Sequence, residues 1–253
     1  MLQTFVSVFY DLVLARLPGA WRAREWRARR ARPLVPSAIY EHGKKLNLGS
    51  SSRLLPGYVN VDMLAENHPD IVGDVATLDF AHDEEYDLVR ASHVLEHFAN
   101  EDCPRVLTQW RRVIRPGGYL VVCCPDYLRL SWRALLQPAG FDPASRGYRP
   151  PRHEGWTAGL YALDLPPDLR HKTVFTEPAL RGLVERAGFT VVGRQVYQVE
   201  HPYTLGIEDD SCSVYSMNLV ARKTATNGSR DDRPGRHAPS RLHDDSREAR
   251  KEA

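Results

Sequence analysis

From Lys44 onward the chain alternates short apolar runs with amphipathic stretches, and this alternation limits its fold more than any other feature. Lys45-Leu46-Asn47-Leu48 and Tyr58-Val59-Asn60-Val61-Asp62 read as strands. Asp70-Ile71-Val72-Gly73-Asp74 is a weaker third and Tyr86 to Ala91 a fourth. Residues 101–115 space Val106, Leu107, Trp110, Val113 and Ile114 at helical intervals and stop at Pro116-Gly117-Gly118. Tyr119 to Cys124 is nearly all apolar, as in a strand covered on both faces. A second helix starts at Thr176-Glu177-Pro178 and ends at Gly188. Strands follow at about Thr190–Val199 and Ser213–Arg222, separated by the polar turn Gly206 to Asp210, so an edge hairpin is expected. Strands interleaved with helices predict an α/β sandwich with a mainly parallel sheet.

The ends of the chain differ from this middle. Residues 1–36 carry seven Lys and Arg against two Asp and Glu, and residues 222–253 nine against six. With a net charge of +2, the stretch 37–221 is left at −6. An acidic centre argues against broad nucleic-acid binding, which needs cations to displace counterions. Leu2, Phe5, Val6, Phe9, Leu12, Val13 and Leu17 form one helical stripe followed by Arg22 to Arg32. Residues 1–36 are therefore expected to be an amphipathic, Arg-rich helical segment. It packs on the domain or a partner, or lies at a membrane surface with arginines on anionic headgroups. Residues 138–175 are irregular, rich in Pro, Gly, Arg and aromatics, and read as an insertion or lid over an acceptor. Residues 223–253, with almost no apolar side chains, are expected to be disordered. The domain between spans 37–222. Cys103, Cys123, Cys124 and Cys212 show no C-x-x-C spacing, which suggests a reducing, cytoplasmic setting. No run approaches eighteen apolar residues.

Polar residues collect at strand ends. Gly49 follows the first strand and Asp62 ends the second, the arrangement of a doubly wound sheet's ligand edge, where an acid accepts ribose hydroxyls. Asp74 ends the third strand, where it can bind an adenine amine or cap a helix. Ser92-His93-Val94-Leu95-Glu96-His97 leaves the fourth strand at the same edge.

In this order the chain resembles the class I S-adenosylmethionine-dependent methyltransferases, with a type-11-like domain. The matching elements are Leu46-Asn47-Leu48-Gly49, Val59-Asn60-Val61-Asp62, Gly73-Asp74-Val75, Ala91 to Phe98, Ile114-Arg115-Pro116-Gly117-Gly118 and Pro125-Asp126. The resemblance implies a Rossmann-like, doubly wound, mainly parallel seven-stranded sheet in order 3-2-1-4-5-7-6 with strand 7 antiparallel. It implies S-adenosylmethionine as methyl donor. Gly49 and Ser50 would lie by the methionine moiety, Asp62 on the ribose, Asp74 and Val75 at adenine, and Ser92 and His93 near the donor methyl. Leu48 and Met63 complete the cofactor-binding set. The chain departs from the family at Gly49-Ser50-Ser51-Ser52, which lacks a second glycine. Only Ser50 to Tyr58 separate the first two strands, so the usual first helix must be shortened or absent.

On a helix, His93, Glu96 and His97 would share one face and could converge on a metal, with His153 or His171 as a fourth ligand. A helix-capping role competes, and no divalent metal is expected. A hydroxyl acceptor gains from a base, and His97 and His171 are the candidates. Trp156, Tyr148 and Tyr161 could wall the acceptor. The expected function is methyl transfer to a small-molecule or sugar acceptor at oxygen. The alternatives are a non-catalytic module that keeps the fold, or a methyltransferase acting on RNA or protein.

Overall fold

In the computed structural model the structure describes residues 34–128, 130–131, 166–195 and 216–224. The N-terminal stripe, His153, Trp156, Tyr148, Tyr161, residues 138–165 of the expected insertion, the Gly206 to Asp210 turn and the tail from 225 lie outside them. Seven strands form one sheet: β1 (Lys45–Leu48), β2 (Val59–Asp62), β3 (Ile71–Val72), β4 (Tyr86–Ser92), β5 (Ile114–Pro125), β6 (Phe189–Gln195) and β7 (Ser216–Lys223). Their order is β3-β2-β1-β4-β5-β7-β6, as the resemblance implied. β1 to β5 pair in parallel, and β7 runs antiparallel to both β5 and β6.

Side chains on a strand alternate between the two faces of a sheet, and here the faces differ. Leu46, Leu48, Val61, Val89, Ala91, Leu120 and Val122 point into the larger core. Helices α2 (Cys103–Val113) and α3 (Glu177–Arg186) add their stripes to it: Cys103, Val106, Leu107, Trp110 and Val113 from one, Leu180, Leu183 and Val184 from the other. Pro178 sits in the first turn of α3 behind an extended Thr176, which makes no side-chain cap. The opposite face carries a smaller cluster that includes Leu88, Val121 and Val220, closed by Val35, Tyr40, Leu55 and Tyr58. Tyr40 belongs to a short helix, α1 (Ser37–His42), that the sequence patterning missed. Six residues are too few to show a helical period. Among the described residues no helix is long and apolar enough to cross a membrane.

The connection between β1 and β2 contains no helix, as its length required. Its conformation is held by one buried side chain. Asn60 Oδ1 accepts from the Leu55 amide at 2.8 Å and from Asn47 Nδ2 at 3.1 Å. Asn60 Nδ2 reaches the Leu55 and Tyr58 carbonyls at 3.2 and 3.3 Å, and Asp70 Oδ2 at 2.9 Å. A carboxamide offers both donors and acceptors, so Asn60 ties down a crossover that would otherwise need a helix. We predict that Asn60→Ala, which strands several buried partners, lowers stability by about 2–3 kcal/mol in urea unfolding.

Candidate active site

Register brings the polar strand ends level. Leu48 pairs with Val61 on one side and Ala91 on the other, so Gly49, Asp62 and Ser92 emerge side by side at one sheet edge. Gly49 has φ +61, and a Cβ there would lie 2.5 Å from Val94 Cγ2. Both the left-handed backbone and the overlying valine demand glycine. The next residue, Ser50, is buried, and its hydroxyl has no partner among the described residues.

Asp62 is buried and already engaged. Its Oδ2 accepts from the Ser51 amide at 2.7 Å, and its Oδ1 from the Leu64 amide at 2.9 Å and Asn67 Nδ2 at 3.1 Å. A carboxylate has about four acceptor positions, so one is left open while the serine turn keeps this conformation. Met63 beside it is 66% exposed. Asp74 is exposed, and its Oδ1 accepts from the Ala76 amide at 2.7 Å, closing a turn over residues 75–77 and not capping a helix as weighed above. Val75 is half-buried, and its carbonyl accepts from Trp110 Nε1 at 2.8 Å, which anchors this loop to α2.

The segment after β4 differs from the helix considered for it. Leu95–His97 is a single 3-10 turn, and His93 precedes it in a left-handed conformation, φ 54. Both His93 ring nitrogens are used: Nδ1 pairs with Glu96 Oε1 at 2.9 Å and Nε2 with Ser216 Oγ at 3.0 Å. Burial disfavours the His93 imidazolium, but Cys123 Sγ at 3.8 Å and the Glu96 carboxylate outweigh it and raise its pKa. Glu96 is 1% exposed. Burial acts to raise its carboxyl, yet the His93 hydrogen bond and charge, with a smaller contribution from His171, hold it below the usual carboxylate range. The Cys124 thiol is pushed well above its ordinary range by burial and by this carboxylate.

His171 arrives from across the chain. The Lys172 and Thr173 amides donate to the Glu96 carbonyl at 2.8 and 3.1 Å, and Thr173 Oγ1 donates to the Phe98 carbonyl at 2.8 Å. This stitching sets His171 Nε2 3.9 Å from Glu96 Oε1 and its ring 4.9 Å from that of His97, edge to face. Of the expected histidines the structure thus groups His97 and His171 with Glu96, while both His93 nitrogens are taken, one by Glu96 and one by Ser216. Asp126, buried after β5, accepts from Arg194 Nη2 at 3.1 Å, while Nη1 of the same guanidinium reaches Glu177 at 3.2 Å. Sequence reasoning missed Ser216, Val94 and Arg194. The first was legible only from β7 lying against β5.

A model of the methyltransferase domain matches residues 23–193. The chain belongs to that family. It is a methyltransferase domain whose methyl donor is S-adenosylmethionine. Among solved structures it is similar to an S-adenosylmethionine-dependent methyltransferase from Methanosarcina mazei, at 16% identity over 78% of this chain and 99% of that one, TM-score 0.50. It is also similar to the 1,6-didemethyltoxoflavin-N1-methyltransferase of Burkholderia thailandensis, solved with 1,6-didemethyltoxoflavin and S-adenosylhomocysteine. That match has 18% identity over 88% of this chain and 90% of that one, TM-score 0.44. No curated protein matches the chain.

We predict that Gly49→Ala destabilises this methyltransferase by about 2 kcal/mol or more, from left-handed strain and overlap with Val94. In a Val94→Ala background the same change should cost about 1 kcal/mol less in urea unfolding, because only the strain remains.

Proposed function

We propose that this methyltransferase transfers a methyl group to an oxygen of a small-molecule or sugar acceptor. The observation that carries the reading is the pair of imidazoles, His97 and His171, gathered around the buried Glu96 carboxylate. The turn that lays Val94 over Gly49 is the one that presents Glu96 and His97, so the two groups of residues share one edge. S-adenosylmethionine, when bound, supplies an electrophilic methyl group on a sulfonium.

The chain's residues do the rest. The glycine cradle at Gly49 and the Ser50 hydroxyl, which has no partner among the described residues, fit the donor's amino-acid end, as does Leu48 before them in the chain. Asp62 and Met63 suit the ribose and its neighbourhood, Asp74 and Val75 the adenine. Ser92 and His93 stand at the end of β4 toward the reacting methyl. A hydroxyl must lose its proton as the new bond forms, and His97 or His171 takes it. The acidic stretch 37–221 favours a small acceptor over a polyphosphate backbone. The division into an N-terminal segment 1–36, a domain 37–222 with an acceptor-side insertion at 138–175 and a tail from 223 belongs to the same proposal.

Calorimetry tests the donor half. S-adenosylmethionine and S-adenosylhomocysteine should bind with a micromolar Kd, near −8 kcal/mol, and NAD should not. Asp62→Ala should weaken donor binding at least tenfold, with thermal unfolding confirming a folded variant. Absence of donor binding by folded wild-type protein would instead indicate a non-catalytic module. For the acceptor half, label transfer from methyl-labelled donor to a panel of hydroxyl compounds should fall about 100-fold or more in His97→Ala or His171→Ala, with donor Kd unchanged. Label appearing in RNA or protein and in no small molecule would overturn the acceptor class.

A further inference from the structure

Cys123 and Cys124 are adjacent in β5 and so belong to opposite faces of the sheet. Cys124 joins the larger core with Leu120 and Val122. Cys123 lies on the other face, against the segment that follows β4. Its Sγ stands 3.8 Å from His93 Nε2, and its carbonyl accepts from the His93 amide at 2.9 Å. The same imidazole holds Glu96 Oε1 through Nδ1 at 2.9 Å and meets Ser216 Oγ through Nε2 at 3.0 Å. Thiol, imidazole and carboxylate thus stand in a row. We propose that Cys123 is a modification site, a nucleophilic thiol activated by His93 and Glu96 that hydrogen peroxide oxidises.

The arrangement is fixed by its surroundings. His93 has a left-handed backbone, φ 54, which a residue other than glycine keeps only where its neighbours hold it. Burial opposes a charged imidazole, yet the charge and hydrogen bond of Cys123, with those of Glu96, raise the His93 pKa to about 10. The ring is therefore cationic at neutral pH, and a cation beside a sulfur favours the thiolate, the nucleophilic form. The other two described cysteines have the opposite surroundings. Cys103 Sγ donates to the Ala99 carbonyl at 3.3 Å, and burial pushes its thiol up to about 11. Burial and the Glu96 carboxylate keep Cys124 protonated. All three cysteines are 0–1% exposed, so a difference in their reactivity reports chemistry rather than access.

The step balances within this group and one peroxide. His93 Nε2 holds the proton of the thiol, and Glu96 holds the imidazolium. The sulfur attacks one peroxide oxygen, a sulfur–oxygen bond forms and the oxygen–oxygen bond breaks. The leaving hydroxide takes the proton from His93 and departs as water. Cysteine becomes a sulfenic acid, oxidised by two electrons, and the peroxide is reduced by the same two. The His93 side chain is 33% exposed while Cys123 is enclosed, which restricts the reagent to a small one entering past the imidazole. Cys123 pairs with Ser92, the last residue of β4, so the added oxygen stands beside the polar strand ends. Loss of donor binding on oxidation rests on the function proposed above; oxidation itself does not.

The test pulses the full chain at pH 7 with hydrogen peroxide, or separately with iodoacetamide, and follows each cysteine by peptide mass spectrometry. Cys123 should gain oxygen or label at least tenfold faster than Cys103 and Cys124. Fragment ions that separate residues 123 and 124, and loss of the signal in Cys123→Ser, assign it. His93→Gln, shown folded by circular dichroism, should slow modification of Cys123 at least tenfold and leave Cys103 and Cys124 as they were. Modification of Cys123 no faster than of Cys124, or a rate that survives His93→Gln, overturns the proposal. If the variant unfolds, the wild-type ratio decides, because the three sulfurs are equally enclosed. Donor calorimetry on the oxidised protein separates the two readings. Donor binding undisturbed by oxygen on Cys123 contradicts only the placing of Ser92 and His93 by the reacting methyl, and donor binding with no preference for Cys123 defeats only the thiol site.

Discussion

The central strand β1 is hydrogen-bonded in parallel on both sides, through Leu48 to Val61 and to Ala91, and the rest of the molecule depends on that pairing. The chain leaves β1 toward β2 and later returns to its other side through β4, so the two connections diverge from one point. Such a reversal opens a crevice at the carboxyl ends of the strands. The residues at the ends of the three strands, Gly49-Ser50, Asp62-Met63 and Ser92-His93, are therefore neighbours in space though far apart in sequence. A one-residue slip in either pairing would turn Leu46, Leu48 and Val61 out of the larger core.

A short crossover shapes the β1–β2 side of this crevice. With no helix after β1, the backbone N–H groups of a helix N-terminus are missing there, and the serine turn supplies its own. One of these, at Ser51, goes to Asp62 rather than outward. The turn and the acid thus stabilise each other, while Asn60 fastens the far end of the connection.

The turn after β4 depends on electrostatics in a buried setting. Glu96 stays ionised although it is almost fully enclosed, because His93 donates to one oxygen and His171 lies close by. Removing one partner of such a group leaves an uncompensated charge. His93 also reaches Ser216 at the start of β7, so the strand that closes the sheet is tied to the turn that carries Glu96 and His97.

Much of this was legible in the sequence. Strand and helix positions follow from period-two and helical spacing of apolar residues, as at Lys45–Leu48 and Cys103–Val113. Gly49 and Asp62 stand out as strand-end residues of the types a ligand edge needs. α1 is too short to show a period, and the helix considered for His93 to His97 is a left-handed residue and one 3-10 turn after the strand end. What the sequence by itself determined was the order of elements and the residues at their ends, because local periodicity reports which side of a strand or helix is apolar. Only the tertiary structure decided that His93 faces Ser216, 123 residues away, and that His171 joins Glu96 and His97. Those partnerships arise from sheet order and from backbone hydrogen bonds between distant segments, and neither leaves a periodic signal in the chain.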